Sequence, residues 1–494
     1  MKKSVLKQIS ALIVCSLFIV LSCAGKKDKE EIVVSVGDRS ITKDEFLQRA
    51  ELTVRPQNVM DKQQVLNNLV AEKLLVLEYG NRSELLKNEN YRLYIQGIQE
   101  QNMREQLFLK EAYNKVHVDS SEVMKTFPLA GREYDLAFYS MRDSVIANKI
   151  RKMLADSSRT PEEVFDGLGD IEKVPRKKVS YMDPELDIIH KTLYSEPLKR
   201  GQVIGPIKIE DNYSIIIKVL GWKEELIIGG GQDFDKRWSD VSKKLKDLKT
   251  NEVWDEYVGR VMKGKRIDFN KDTFERIVDI FISEYNKKQG IDPNATILEG
   301  DSSSQQLLDA EKELLNKPFF TIDGKVWTVK DFEKLLASHP LVYRNRNFRT
   351  KRDYMHQFRY AVADLIRDYY LNKVAYKQKL DKLPIVKRKV EMWKDATLAQ
   401  YQVNQFIKNL PQRKDFDPNL MKGRDNYLSL YIDTLYTKYS NKIVFNKEVY
   451  KNIKLTNVPM FAMRQNFPYP VLVPSFPSYT TKNDMGPIIK KEEQ

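Results

Sequence analysis

The stretch Val36-Gly37-Asp38-Arg39-Ser40-Ile41-Thr42-Lys43-Asp44-Glu45-Phe46 returns later as Ile322-Asp323-Gly324-Lys325-Val326-Trp327-Thr328-Val329-Lys330-Asp331-Phe332. A second pair of stretches is just as alike. Ile267-Asp268-Phe269-Asn270-Lys271-Asp272-Thr273-Phe274-Glu275-Arg276-Ile277 matches Ile443-Val444-Phe445-Asn446-Lys447-Glu448-Val449-Tyr450-Lys451-Asn452-Ile453. Call the first pair openers and the second closers. The openers begin 286 positions apart, at 36 and 322, and the closers 176 apart, at 267 and 443. Between opener and closer the first copy therefore carries 110 more residues than the second, about the size of one small domain. A duplicated module with an insertion in its first copy accounts for both spacings.

Each opener reads as a short strand, a turn and an N-capped helix: Thr42 is followed three residues later by Glu45, a capping-box pattern. Amphipathic helices follow in both copies. Leu66, Leu69, Val70, Leu74 and Leu77 recur at steps of three or four in the first. Phe358, Val362, Leu365, Ile366, Tyr369 and Tyr370 do so in the second. Tyr257 and Val261 before the first closer match Tyr431 and Leu435 before the second after a two-residue slip. Helices are expected over 62–79 and 89–116, then a mixed region over 132–222. There 134–141 and 213–220 read as strands, 144–155 and 185–194 as helices. Gly229-Gly230-Gly231 reads as a linker, since no P-loop Lys-Ser/Thr follows it.

The N-terminus has its own logic. Lys2, Lys3 and Lys7 precede an apolar run from Ala11 to Leu21, and Ser22-Cys23-Ala24-Gly25 follows, the layout of a secretory signal. The run is short for a membrane span, and charged residues follow it directly. Val20-Leu21-Ser22-Cys23 resembles the bacterial lipobox, which implies lipidation of Cys23 and removal of 1–22. With Cys15 the only other cysteine, the body beyond 23 has no thiol for a disulfide, a nucleophile or a cysteine metal site. The net charge of +14 is spread along helices beside Glu and Asp, which argues against a nucleic-acid partner and for a solvated charged surface, the alternative being attraction to anionic membrane or acidic unfolded chains.

The openers, the helix Leu69-Val70-Ala71-Glu72-Lys73-Leu74-Leu75 and the segment from Leu193 through Leu198-Lys199-Arg200-Gly201-Gln202-Val203-Ile204-Gly205-Pro206 resemble one family. It is the periplasmic folding factors that join a helical chaperone module to parvulin-type prolyl isomerase domains. With the second copy included, the resemblance covers about two thirds of the chain. It implies a mainly α fold with an α+β insert: two helical chaperone modules, the first interrupted by a parvulin-like domain. The implied layout is signal 1–22, polar tether 23–31, first module 32–116 and 227–290, parvulin-like domain 117–226, linker 291–316, second module 317–455 and tail 456–494. The tail, rich in proline and aromatics, cannot be regular helix or central strand and either lies extended over the body or stays mobile.

A parvulin twists the X-Pro bond, with a barrier of about 20 kcal/mol, in an apolar pocket flanked by a polar cluster that usually holds two histidines. Here the strand Tyr134 to Ser140 has no histidine, and Ser214 stands where the family places its second. Of the four histidines His117, His190, His339 and His356, only His190 falls near, in the helix before the Gly-Pro turn, where it reads as a surface or satisfied side chain and not as a catalyst. No catalytic residue is therefore assigned. Met182, Leu186, Leu193, Tyr194, Tyr213 and Ser214 are the expected substrate-binding positions. P-loop, H-E-x-x-H, G-x-S-x-G and EF-hand patterns are absent, so no cofactor or metal is expected. The expected function is a lipid-anchored envelope chaperone, periplasm-facing or at the outer membrane, whose partners are unfolded or nascent exported proteins and the membrane through its anchor. An active prolyl isomerase and a structural lipoprotein of a secretion or surface complex are the two alternatives.

Overall fold

The computed structural model describes residues 31–55, 61–141, 144–156, 160, 163–164, 175–210, 213–225, 227, 231–287, 312–344, 350–410, 421–456, 468–469 and 471–483. It is mainly helical, with about 62% of it in helices, and carries small antiparallel sheets. The strands among the described residues are β1 Ile32–Val36, β2 Arg39–Thr42, β3 Arg132–Met141, β4 Arg176–Val179, β5 Val203–Glu210, β6 Tyr213–Glu224, β7 Asp268–Phe269, β8 Pro318–Ile322, β9 Lys325–Thr328 and β10 Ile443–Phe445. They form three sheets, in the orders β10-β1-β2, β4-β3-β6-β5 and β7-β8-β9. The chain divides into two compact units. One holds the described residues of 1–95, 388–462 and 472–494, the other those of 96–387 and 463–471.

In unit 1 the opener makes the hairpin β1-β2, turning at Gly37, whose left-handed φ of 62° suits a residue without Cβ. Thr42 caps the Lys43–Glu51 helix by accepting from the Glu45 amide. Phe46 and Ala50 on that helix pack with Val33, Val34, Val36 and Ile41 of the hairpin and with the Lys62–Tyr79 helix. The third strand is β10, with Val34 opposite Phe445, Ser35 opposite Val444 and Val36 opposite Ile443. The Met421–Lys438 helix packs on the Lys62–Tyr79 helix.

Unit 2 repeats this arrangement in the same strand register. The hairpin β8-β9 turns through Asp323 and Gly324, both left-handed at φ 53° and 71°, as a type I′ turn requires. Thr328 caps the Val329–Ser338 helix through the Asp331 amide. The third strand is β7, with Phe269 opposite Phe320 and Asp268 opposite Thr321. Shifting Val34 and Ser35 by 286, and Phe445 and Val444 by 176, reproduces this register. The Asn446 amide donates to the Val33 carbonyl at 2.9 Å, and the Asn270 amide to that of Phe319 at 2.9 Å. Asn446 and Asn270 then cap the next helices at 3.1 Å in both cases.

The duplication is therefore real at the level of single hydrogen bonds, but the closers are exchanged. The first opener is completed by the second closer, and the second opener by the first closer. The helices follow suit, since the Gly231–Met262 helix packs on the Lys351–Lys377 helix. This corrects the expected modules of 32–116 with 227–290 and of 317–455. The closers carry nearly the same apolar pattern, so either satisfies either opener, and order along the chain does not decide which pairs form.

The α+β region within unit 2 is built on β4-β3-β6-β5. Neighbouring residues go to opposite cores: Leu136 and Ile217 to one, Ala137 and Ile216 to the other, so both sheet faces are covered. The Ser144–Ala155 helix serves one face through Ala147, Ile150 and Leu154, the Asp187–Tyr194 helix the other through Ile189, Leu193 and Tyr194. Gly205, at φ 110°, lies where a Cβ would come within 2.7 Å of the Ile215 carbonyl oxygen. The core of this region also takes Val241 from the Gly231–Met262 helix, with Trp238 and Leu245 beside it. The expected edge at 226 is therefore too early. The first half of that helix belongs with the insert.

Candidate functional site

The six expected substrate-binding positions do not share one environment. Leu193 and Tyr194 are fully enclosed and belong to the core of the α+β region, which corrects their reading as pocket liners. The cause is helix phase: on Asp187–Tyr194, positions 189, 190, 193 and 194 share the inward face. Met182, Leu186 and the neighbouring Ile188 are exposed instead. Ser214 sits half-buried on β6, opposite Met141 and Lys208. Tyr213 starts that strand, and its side chain lies outside the described residues.

Around Tyr194 the structure assembles an aromatic cluster. Its ring lies 5.3 Å from Tyr134, 5.0 Å from Tyr181 and 4.9 Å from His190. The Tyr194 hydroxyl shares its proton between the Val179 carbonyl at 2.8 Å and that of Arg132 at 3.1 Å. His190 Nε2 bonds the Tyr181 carbonyl at 2.9 Å, while His190 Nδ1 and the hydroxyls of Tyr134 and Tyr181 are buried without partners. Burial, aided by the Lys244 ammonium, pushes the His190 pKa down to about 4, so the ring is neutral at pH 7. Tyr194 thus fastens two strands to the helix. Its hydroxyl is fully used and enclosed, unsuited to meeting a substrate.

Unit 1 holds a different kind of site, and the tail occupies it. Residues 471–483 run without helix or strand, and Phe476 and Tyr479 are buried in the core of unit 1. Asn68, fully buried on the Lys62–Tyr79 helix, reads the tail's main chain. Its Oδ1 accepts from the Tyr479 amide at 2.6 Å and the Thr480 amide at 3.1 Å, and its Nδ2 donates to the Thr480 carbonyl at 3.0 Å. Asn67 Nδ2 donates to the Lys482 carbonyl at 2.9 Å, and an Arg49 guanidinium nitrogen to that of Ser475 at 2.9 Å. The Lys482 ammonium pairs with Asp433 at 2.7 Å. Of the two arrangements expected for the tail, the extended one is found for these residues.

Arg49 is itself fixed by a two-pronged pair with Glu72, at 3.0 and 2.8 Å, with both side chains fully enclosed. Next to it, Lys73 reaches Glu45 at 2.7 Å and Asp395 at 2.9 Å, and Arg39 reaches Asp395 at 2.9 Å. Burial works against the Lys73 ammonium, but Asp395, Glu45 and Glu72 outweigh it and hold its pKa above the usual lysine value. In unit 2 the tail supplies another anchor. Tyr469 is buried, edge-on to Trp254 at 5.9 Å and under the Arg104 guanidinium at 5.5 Å.

No family model, curated protein or solved structure matches the chain. Among the described residues no group of three His, Cys, Asp or Glu side chains could hold a metal ion, and no helix is long and apolar enough to cross a membrane. Cys23 lies outside the described residues. The residues that sequence reasoning missed are Arg49, Asn67 and Asn68. Their signal was present: Gln64, Asn67, Asn68, Glu72 and Lys73 read as the solvent face of an amphipathic helix, yet that helix is buried without a break from Gln64 to Val76. Buried polar residues interleaved with a strongly apolar stripe needed partners; the tail provides them for Asn67 and Asn68, the charged cluster for Glu72 and Lys73.

Proposed function

We propose that the chain is a lipid-anchored envelope chaperone that binds unfolded exported proteins, with Cys23 as the lipidated residue and no nucleic-acid partner. The observation that carries the reading is the duplication. The part of the chain repeated with the same register is the part that resembles the helical holding module, whereas the parvulin-like segment occurs once. Exposed apolar side chains such as Val326, Val342, Leu430 and Val444 on the two units offer weak, unselective contact to unfolded chains. The α+β region acts in this reading as a holding domain without efficient turnover. Its helix before the Gly-Pro segment spends Tyr194 and His190 on internal bonds, and Ser214 supplies no imidazole.

The test is aggregation suppression. An outer-membrane barrel protein diluted from urea should scatter less light as the chaperone approaches stoichiometric excess; no effect at excess would sink the reading. A proline-isomerisation assay on a short X-Pro peptide should stay near background, and turnover well above it that is lost on replacing Ser214 would favour the isomerase alternative.

A further inference from the structure

We propose that the tail's slot in unit 1 is a peptide-binding site, and that the tail is a displaceable internal occupant of it. The ligand class is an extended polypeptide segment with two aromatic residues three positions apart. This inference rests on the chaperone reading and names the site at which that activity would be exercised.

The contacts carry the argument. Asn68 makes three bonds to the tail, Asn67 one and Arg49 one, and all five go to main-chain amides and carbonyls, which any sequence can offer. Specificity comes from two buried rings, Phe476 and Tyr479. Fully buried Asn68 reads both the donor and the acceptor of one tail residue, Thr480. Main-chain bonds for affinity with side-chain pockets for specificity are how proteins hold extended peptides. The polar groups are also fixed before any ligand arrives. Glu72 locks Arg49, and the Gln64 carbonyl accepts from Asn68 Nδ2 at 2.9 Å, so little order need be created on binding. A tethered tail competes at an effective concentration on the order of millimolar. Weak single segments are thereby excluded, while an unfolded chain presenting many segments can displace it.

Two measurements decide this. In the first, a labelled peptide spanning Leu472–Asn483 is titrated by fluorescence anisotropy into the chain ending at Val471. Saturable binding is expected, weakened roughly a hundredfold when both Phe476 and Tyr479 of the peptide are alanine; no saturation, or binding indifferent to the two rings, overturns the proposal. The second uses the intact chain, so that misfolding of the truncated one cannot shelter the idea. Hydrogen exchange at the Tyr479 and Thr480 amides is followed with an unfolded outer-membrane barrel protein. Protection should fall at least tenfold once the client binds. Unchanged protection with client bound rejects the slot and leaves the chaperone reading intact, whereas a client that never binds rejects the chaperone reading, and the peptide titration then judges the slot alone.

Discussion

Where the first opener's helix carries Arg49, the second opener's carries Leu335, and the same offset sets Val33, Val34 and Ile41 against Phe319, Phe320 and Trp327. The two units share a sheet, a register and the caps of their helices, yet they fill their cores by different means. Unit 2 fills its own with aromatics of its hairpin, its helices and the exchanged closer, among them Phe274, Phe319, Phe332 and Phe358. Unit 1 keeps smaller side chains, buries a charged network and takes two rings from the tail. A repeated scaffold has thus diverged at the positions that decide whether a core is closed by itself or completed by another strand of chain. Arg49 ties the two differences together, because its guanidinium serves both Glu72 and the tail carbonyl of Ser475.

The comparison breaks most easily at its shared element. Phe46→Ala and Phe332→Ala remove equivalent, fully buried rings, and each should cost about 4 kcal/mol in denaturant unfolding; a loss in one unit only would mean that the units are not equivalent there. Arg49→Leu copies unit 2 into unit 1. It strands the Glu72 carboxylate and should cost about 3 kcal/mol, much of it restored when Glu72 is also made leucine. A neutral single substitution would show that the pair contributes nothing.

The α+β region of unit 2 carries an acid response of its own. His190 holds its proton only below about 4 when folded and near 6.5 when unfolded, so the unfolded chain takes up the proton first. Its contribution is intact above pH 6.5 and is lost as pH falls toward 4, about 2 kcal/mol between pH 7.5 and pH 5. Unfolding curves of His190→Gln across that range should be flatter by this amount. A slope identical to that of the parent chain would remove His190 as the cause. The smallest effect expected is at the matched caps: Asn446→Ala and Asn270→Ala should each cost about 1 kcal/mol, equally in the two units.

Much of the local structure was legible in the sequence, because it is written in short-range physics. The 62–79 and 144–155 helices fall where apolar periodicity puts them, and Thr42 caps as its spacing to Glu45 requires. Pairing between distant segments was not legible. Ile443-x-Phe445-Asn446 and Ile267-x-Phe269-Asn270 are interchangeable as patterns, so nothing local says which opener each completes. The candidate site was hidden for a related reason. Asn67 and Asn68 look like ordinary surface residues until a segment some four hundred positions away lies against them. Leu193 and Tyr194 were read correctly as apolar and aromatic, but the helix phase that turns them inward depends on the sheet beneath.

Crossed closure is the claim on which the rest depends, and cysteine cross-linking tests it directly. With Cys15 and Cys23 replaced by serine, Ser35→Cys combined with Val444→Cys places two thiols on directly opposed residues of β1 and β10, within reach of a disulfide. The pair Ser35→Cys with Asp268→Cys probes the order-preserving alternative. Mild oxidation of the monomer should cross-link the first pair almost completely and the second not at all. Cross-linking of 35 to 268 with 35 and 444 left free would contradict the crossed fold.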